Sequence, residues 1–314
     1  MGYFETGCRQ HYLQVSNYLS QLFMDPDSAD ARFPYKLMEL GTSHMAKTTI
    51  VTVAFTACNY YDPNTDFKTS KVNFLTPDTV VVKQNSAGAP KKKKRTIYLT
   101  FDDGPNKGTK NMMHIVKEEE IPVTLFIIGQ HVYGSNEQNA VFDSVVNCNL
   151  FEIANHSFTH AFENKYAKFY QVPDSAIKDF KRCADSLHLT ANIIRTPGRN
   201  IWRTQLVNCT DINASKAAAD SLFANGFTIT GWDLEWHYDE KLQLKNTSDE
   251  MILQIDSMFT NARTKTTDQL VLLAHDQVYQ KPEDSAELHQ FIIKLKAKNE
   301  YNFQTISKYP DIKN

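Results

Sequence analysis

The sequence predicts an α/β fold, a distorted (β/α) barrel with about seven parallel strands. Three observations predict it. From residue 96 onward, short apolar and β-branched runs alternate with stretches of helical period, too evenly for a sandwich. Polar residues gather where several of those runs end, the place where barrels keep their chemistry. No GxGxxG or phosphate-binding glycine loop opens a helical stretch, so an open doubly wound sheet ranks second.

The expected strands, in order, are Thr96–Asp102, Val123–Gly129, Phe151–Asn155, Ala191–Thr196, Phe227–Leu234, Gln269–Ala274 and Tyr301–Ile306. Helical stretches separate them. Ile177, Phe180, Cys183, Ala184 and Leu187 recur at helical spacing, as do Leu288, Phe291, Ile292 and Leu295. Ile252, Ile255 and Phe259 form a third stripe. These stripes are core-facing. Pro173-Asp174 and Pro282 are helix starts, and Asn225-Gly226 is a helix stop.

Upstream of residue 96 the pattern is less regular. The chain divides into an N-terminal extension (1–58), a linker (59–95) and the barrel domain (96–314). The linker carries Pro63, Pro77 and Pro90, one strand at Thr79 to Lys83, and the basic run Lys91 to Arg95, read as a solvated tether. With a net charge of -2 the whole chain offers no argument for a nucleic-acid partner. The five cysteines show no CxxC spacing, so neither a zinc–thiolate site nor a disulfide framework is indicated. Lys47, the apolar run Ile50 to Ala57 and then Cys58 resemble a bacterial lipoprotein signal. On that reading Met45 is the true start, Cys58 carries the lipid anchor, and that anchor is the chain's one tie to a membrane. The alternative for this run is a buried strand. No apolar run reaches the roughly 20 residues of a membrane span.

The chemistry centres on Thr96 to Pro105, TIYLTFDDGP. Side chains alternate along a strand but converge where it becomes a loop, so Asp102 and Asp103 can aim into one space. Two acids there repel unless a cation or a proton lies between them. Other strand ends supply Asn155-His156-Ser157-Phe158-Thr159-His160, Arg195-Thr196-Pro197-Gly198, Trp232-Asp233-Leu234-Glu235-Trp236 and Leu272-Leu273-Ala274-His275. Two histidines four apart plus one carboxylate form an N,N,O set that leaves positions open on a divalent ion. His156, His160 and one of the two aspartates fill it. The other aspartate is then a base for an attacking water, and His275 can protonate an amine leaving group. Arg195 is placed to pair with the basic aspartate, and Asp233 or Glu235 to hold His275; the sequence does not decide between them.

The order FDDGP, HSFTH, RTPG, WDLEW, LLAH resembles the five motifs of the NodB-type polysaccharide deacetylases, carbohydrate esterase family four, over about residues 96–310. The resemblance implies a distorted (β/α) barrel that hydrolyses acetyl groups from N-acetylated sugars, or O-acetyl groups from xylan. By motif it implies Asp102 as general base, Asp103, His156 and His160 as metal ligands, His275 as general acid and Arg195 as tether of the base. It implies zinc as the metal, with cobalt or another divalent ion tolerated, an acetylated glycan as partner, and a backbone N–H of the third motif on the oxyanion. The setting implied is the bacterial envelope or the exterior, with the cytoplasm left open. Two departures stand out. Gly198-Arg199 follow Pro197 where the family usually has an aromatic residue, and the fourth motif is compressed, with Glu235 ahead of Trp236. Trp202, Trp232 and Trp236 are candidates for sugar stacking or for core, Arg199 and Arg203 for the cleft flank, and His237 for the rim. No Gly-x-Ser-x-Gly elbow is present, which argues against a serine esterase. The rivals to an N-deacetylase are a sugar O-acetyl esterase on the same site and a weakly catalytic glycan-binding module.

Overall fold

The computed structural model describes residues 94–312. The expectations for the N-terminal extension, the linker strand and the lipidated Cys58 lie outside the described residues.

The sheet is organised around β1, Arg95–Gly104, which is buried along most of its length. A strand covered on both faces is expected of a parallel sheet. On one side β1 pairs with β9 (Gln269–His275), in register from Thr96 opposite Gln269 to Asp102 opposite His275. On the other it pairs first with β10 (Tyr301–Phe303) and then with β2 (Val123–Ile127). The ladder continues through β3 (Phe151–Asn155) and β4 (Ile193–Ile194), all parallel. Alternation along β1 sorts its side chains. Ile97, Leu99 and Phe101 face the helices and join Met112, Val116, Leu288, Phe291 and Ile292 in the main core. Tyr98, Thr100 and Asp102 face inward, where Tyr98 packs with Phe126, Val271 and Tyr309.

Six of the helices that cover the sheet are α1 (Thr109–Glu118), α2 (Asn136–Val146), α3 (Pro173–Leu187), α4 (Lys216–Ala224), α5 (Ser248–Thr260) and α6 (Pro282–Lys298), of which α3, α5 and α6 carry the three expected stripes. Proline opens α3 and α6 where its fixed φ and missing N–H cost nothing. A Thr247–Glu250 capping box opens α5. α4 ends at Ala224, ahead of Asn225-Gly226.

Two features depart from the sequence reading. The run expected as one strand at 227–234 is two short strands towards opposite ends of the sheet. β7 (Thr228–Ile229) pairs with β4, whereas β8 (Leu234–Glu235) pairs with β9. Residues 230–233 cross between those ends, so the barrel mouth is bridged by a crossing segment. The second is an antiparallel hairpin, β5 (Ile201–Arg203) and β6 (Asn208–Thr210), added outside β7. It carries Trp202 into the interior, fully buried. The resulting order is β6-β5-β7-β4-β3-β2-β1-β9-β8, with β10 beside β1. Among the described residues β6 and β8 are not paired, so this is an incomplete barrel.

Candidate active site

In a regular strand Asp102 and Asp103 would point to opposite faces. β1 avoids this with a bulge: its register against β2 shifts between Asp102 and Gly104, and Asp103 sits at φ 75. Asp102 keeps the inward face and Asp103 turns to the mouth beside it. His131, on the turn after β2, donates from Nδ1 to the Asp103 carbonyl at 2.8 Å and holds that turned backbone. Burial pushes His131 below the usual histidine range, which favours the neutral ring that makes this bond.

His156 stands just beyond β3 and His160 begins a left-handed turn. Residues 160 to 164 all have φ between 48 and 67, an uncommon run for residues with a Cβ. Backbone bonds from Glu163 to Thr159 and from Lys165 to Ala161 close the turn, and the Asp179 carboxylate caps its start through the N–H groups of Phe158 and Thr159. The turn swings the His160 ring back beside His156, centroids 5.1 Å apart.

The donor atoms converge. His156 Nε2 lies 3.5 Å and His160 Nε2 3.2 Å from Asp103 Oδ1, and one ligating atom from each residue falls within 4.8 Å of the others. Their Nδ1 atoms are engaged elsewhere: His156 donates to the Arg195 carbonyl at 2.9 Å, and His160 to Asn164 Oδ1. An Nδ1–H on each neutral ring leaves the Nε2 lone pair facing the carboxylate. Asp103 Oδ1 is buried without a hydrogen-bond partner. Burial works to raise the Asp103 carboxyl, but the imidazoles outweigh it and hold it well below its usual range. His160 is raised: burial opposes its charge, and Asp103 more than offsets that. Electron-rich atoms so close need protons or one cation between them. Two imidazoles and a carboxylate on one side of an open cavity fit a divalent ion.

Asp102 lies deeper. Arg195 Nη1 donates to its Oδ1 at 2.8 Å, with the guanidinium fully buried. The same guanidinium bonds Thr100 Oγ1 and the carbonyls of Thr230 and Gly231, and lies 4.0 Å over the Phe126 ring. Asp102 Oδ2 is 3.7 Å from His156 Nε2. On the next strand His275 lines the same cavity, which has a volume of about 240 Å³. Its Nδ1 is buried without a partner, and the Tyr238 ring meets it edge-on at 5.1 Å.

The two acids offered for His275 part company. Glu235 lines the cavity and pairs with the rim residue His237 at 3.3 Å. Asp233 does not reach His275: its oxygens accept the backbone N–H groups of Lys265 and Val271, at 2.7 and 2.8 Å. β8 begins only at Leu234, so Asp233 lies ahead of the strand that carries Glu235. One residue earlier, the Asp233 carboxylate substitutes for a rung of the ladder against β9. Burial raises it to about 6 against those two donors.

Trp232 lines the cavity, whereas Trp202 and Trp236 are fully buried in the core. Arg203 is buried too, pairing with Asp220 at 2.8 Å. Arg199 stays at the rim, 5.7 Å over Tyr166. Tyr166, the first residue of a short helix (Tyr166–Gln171), and Tyr238, bridged to Leu244, form cavity walls that no motif announces. The Tyr166 ring covers Gly198, which sits at φ +63; a Cβ there would come within 2.7 Å of it.

Residues 89–204 match the family described as polysaccharide deacetylase. A peptidoglycan-N-acetylglucosamine deacetylase of Bacillus cereus is 29% identical over 192 residues, which cover 59% of this chain and 61% of that protein. The match thus spans less than two thirds of that relative's length. Two solved structures share the fold. The catalytic domain of a peptidoglycan N-acetylglucosamine deacetylase from Eubacterium rectale superposes with a TM-score of 0.52 at 20% identity, covering 73% of this chain and 99% of that one. A CE4 esterase of Streptococcus mutans gives 0.51 at 19% identity, covering 68% and 86%. The matched residues bring Asp102, Asp103, His156 and His160 to one cavity, with Arg195 bonded to Asp102 behind it, and over residues 89–204 the chain is similar to the polysaccharide deacetylases.

Proposed function

We propose that this protein is a metal-dependent hydrolase that removes acetyl groups from N-acetylated sugars of a polysaccharide or oligosaccharide, chitin-like or peptidoglycan. One observation carries the reading: a buried, unpartnered Asp103 oxygen faced by two imidazole Nε2 atoms, with Asp102 beside it and His275 across the same cavity. Asp103, His156 and His160 would hold the ion, which we take to be zinc. When bound, such an ion polarises an acyl oxygen and acidifies water. Asp102 accepts the proton of the attacking water, and Arg195 fixes the carboxylate for that transfer through its 2.8 Å bond. As the carbon–nitrogen bond breaks, His275 gives its proton to the departing amine, which is otherwise a very poor leaving group. Acetate and the free amino sugar result, without an acyl-enzyme. Glu235 stands on the His275 side of the cavity. Gly198 lines the same cavity, and we take a backbone N–H of its loop as the donor to the developing oxyanion.

A cell-wall or other extracellular glycan fits an envelope or secreted setting, in keeping with the Bacillus cereus relative's named substrate. Among the described residues no helix is long and apolar enough to cross a membrane. The test is acetate release from chitooligosaccharides, peptidoglycan fragments and acetylated xylan, after chelation and after zinc is restored. Zinc-dependent release from an N-acetylated glycan is expected. Release from xylan alone would make it an O-acetyl esterase, and binding without release a glycan-binding module.

A further inference from the structure

Asp276 follows His275, is fully buried, and has no part in the mechanism above. Its Oδ1 accepts a hydrogen bond from Asn106 Nδ2, and its Oδ2 accepts one from the Thr109 hydroxyl. Both donors belong to the loop and first turn of α1 that follow Asp102 and Asp103. The loop is folded on itself around this one carboxylate. Asn106 N–H donates to Thr109 Oγ1 at 2.7 Å, and Gly108 N–H to Asn106 Oδ1 at 3.0 Å. The approach is close enough to require glycine. A Cβ on Gly104 would lie 2.6 Å from Asp276 Oδ2, and one on Gly108 1.9 Å from the Asp276 carbonyl oxygen. β1 and β9 share their last rung at Asp102 and His275. Past that rung, β1 leaves the β9 ladder and its bulge pairs with β2 instead. Asp276 continues the connection beyond it, and Asn111 Nδ2 on α1 adds a bond to the Tyr279 carbonyl at 2.8 Å.

We propose that Asp276 is a positioning residue: its bonds to Asn106 and Thr109 latch the β1–α1 loop to the end of β9 and so set the spacing between the His275 imidazole and the Asp102–Asp103 pair. The proposal rests on reading His275 as the acid and Asp102 as the base. Misplacement of a reacting group by about 1 Å costs on the order of 100-fold in rate, so a loosened latch is visible in turnover. A buried carboxylate that has lost a donor also has reason to move.

The experiment compares Thr109→Val, which keeps the shape and removes the hydroxyl, with Thr109→Ser, which keeps the hydroxyl, and adds Asp276→Asn and the double variant D276N/T109V. Turnover is measured per zinc-loaded site on a chitooligosaccharide. We expect T109V and D276N to lower kcat about tenfold or more with KM within about twofold. T109S should retain wild-type kcat, and the double variant should be no worse than the more affected single one, because both cut the same tie. Nitrogen-15 spectra of the His275 ring in metal-free protein give a readout independent of activity: its resonances should move in T109V and D276N and stay put in T109S. Wild-type turnover in a folded T109V, equal losses in T109S and T109V, or unmoved His275 resonances would overturn the proposal. If the wild type released no acetate from any glycan, the functional reading would fall while the ring spectra still decided the latch.

Discussion

The Arg195 guanidinium meets Asp102 Oδ1 at 2.8 Å inside a region closed to solvent, and it also bonds the carbonyls of Thr230 and Gly231. One side chain therefore both orients Asp102, the proposed base, and ties down the segment that bridges the open barrel. Arg195→Met leaves a buried carboxylate and two carbonyls without their donor. Losing one partner of a buried pair costs about 3–5 kcal/mol, and for a domain of this size that lowers Tm by about 10 °C. Arg195→Lys keeps the charge but not the planar fork. It should melt between the two, with kcat lowered about 100-fold because the base is no longer held. Thermal unfolding and acetate release on both variants check this; a lysine variant with wild-type turnover would remove the orienting role.

Asp233 and Glu235 are separated by what they touch. Asp233 is bound to the backbone N–H groups of Lys265 and Val271, so Asp233→Asn should leave kcat within about threefold. Glu235→Gln alters the cavity wall and should lower kcat about tenfold or more. The pH dependence of stability gives an independent signature for Asp233. Burial raises its carboxyl from 3.8 to about 6, so between those values the folded chain holds a proton that the unfolded chain has released. Stability contributed by this group is present at low pH and declines as pH rises through that window, by up to about 3 kcal/mol. Above it this group's loss is complete. Urea titrations at closely spaced pH values should show a shallower slope through that window in D233N than in the wild type.

The gathering of the site residues in one place was legible because each cue is local. Asp102-Asp103, His156 with His160, Arg195 and His275 each stand at the end of an apolar run, and in a parallel sheet those ends share one side. What the sequence hid depends on pairing partners. Residues 227–234 read as one strand, but which neighbour each half joins is set by the gap in the barrel, and the single-strand reading then misplaced Asp233. Tyr166, Tyr238 and His131 act from short helical turns and connections whose course no period encodes. Asp276 was visible beside His275, but its contacts with Asn106 and Thr109 arise only once β1 and β9 lie side by side.

The left-handed turn from His160 to Asn164 offers a stability prediction. Left-handed conformation costs roughly 1–2 kcal/mol for a residue with a Cβ and little for glycine. Glu163, at φ 57, is exposed. Glu163→Gly should therefore stabilise the protein by about 0.5–1 kcal/mol, less than the full strain because glycine also loosens the unfolded chain. A rise in Tm of about 2–4 °C follows. Zinc affinity by calorimetry should stay within about threefold, since the backbone that places His160 is kept. A lower Tm would mean that the turn is not strained at this position.

Gly198 and Tyr166 give a prediction that one substitution makes worse and a second partly repairs. Gly198→Ala meets two obstacles: φ +63, which disfavours any Cβ, and the Tyr166 ring 2.7 Å from where that Cβ would stand. The ring must then move, and with it the Tyr166 hydroxyl bond to Asn164 Oδ1, the same oxygen that receives His160 Nδ1. G198A should lower kcat about tenfold or more and weaken zinc binding, because the orientation of a ligand imidazole depends on that partner. Tyr166→Phe keeps the ring but loses the hydroxyl, so it isolates the effect on His160: a modest loss of zinc affinity with the cavity wall intact. Tyr166→Ala removes the obstacle. Combined with G198A it should recover the steric part of the loss but not the backbone part, giving a coupling energy of about 1 kcal/mol between the two sites. Additive effects in that double-mutant cycle, measured on stability and on zinc affinity, would mean that Tyr166 does not cover Gly198 in solution.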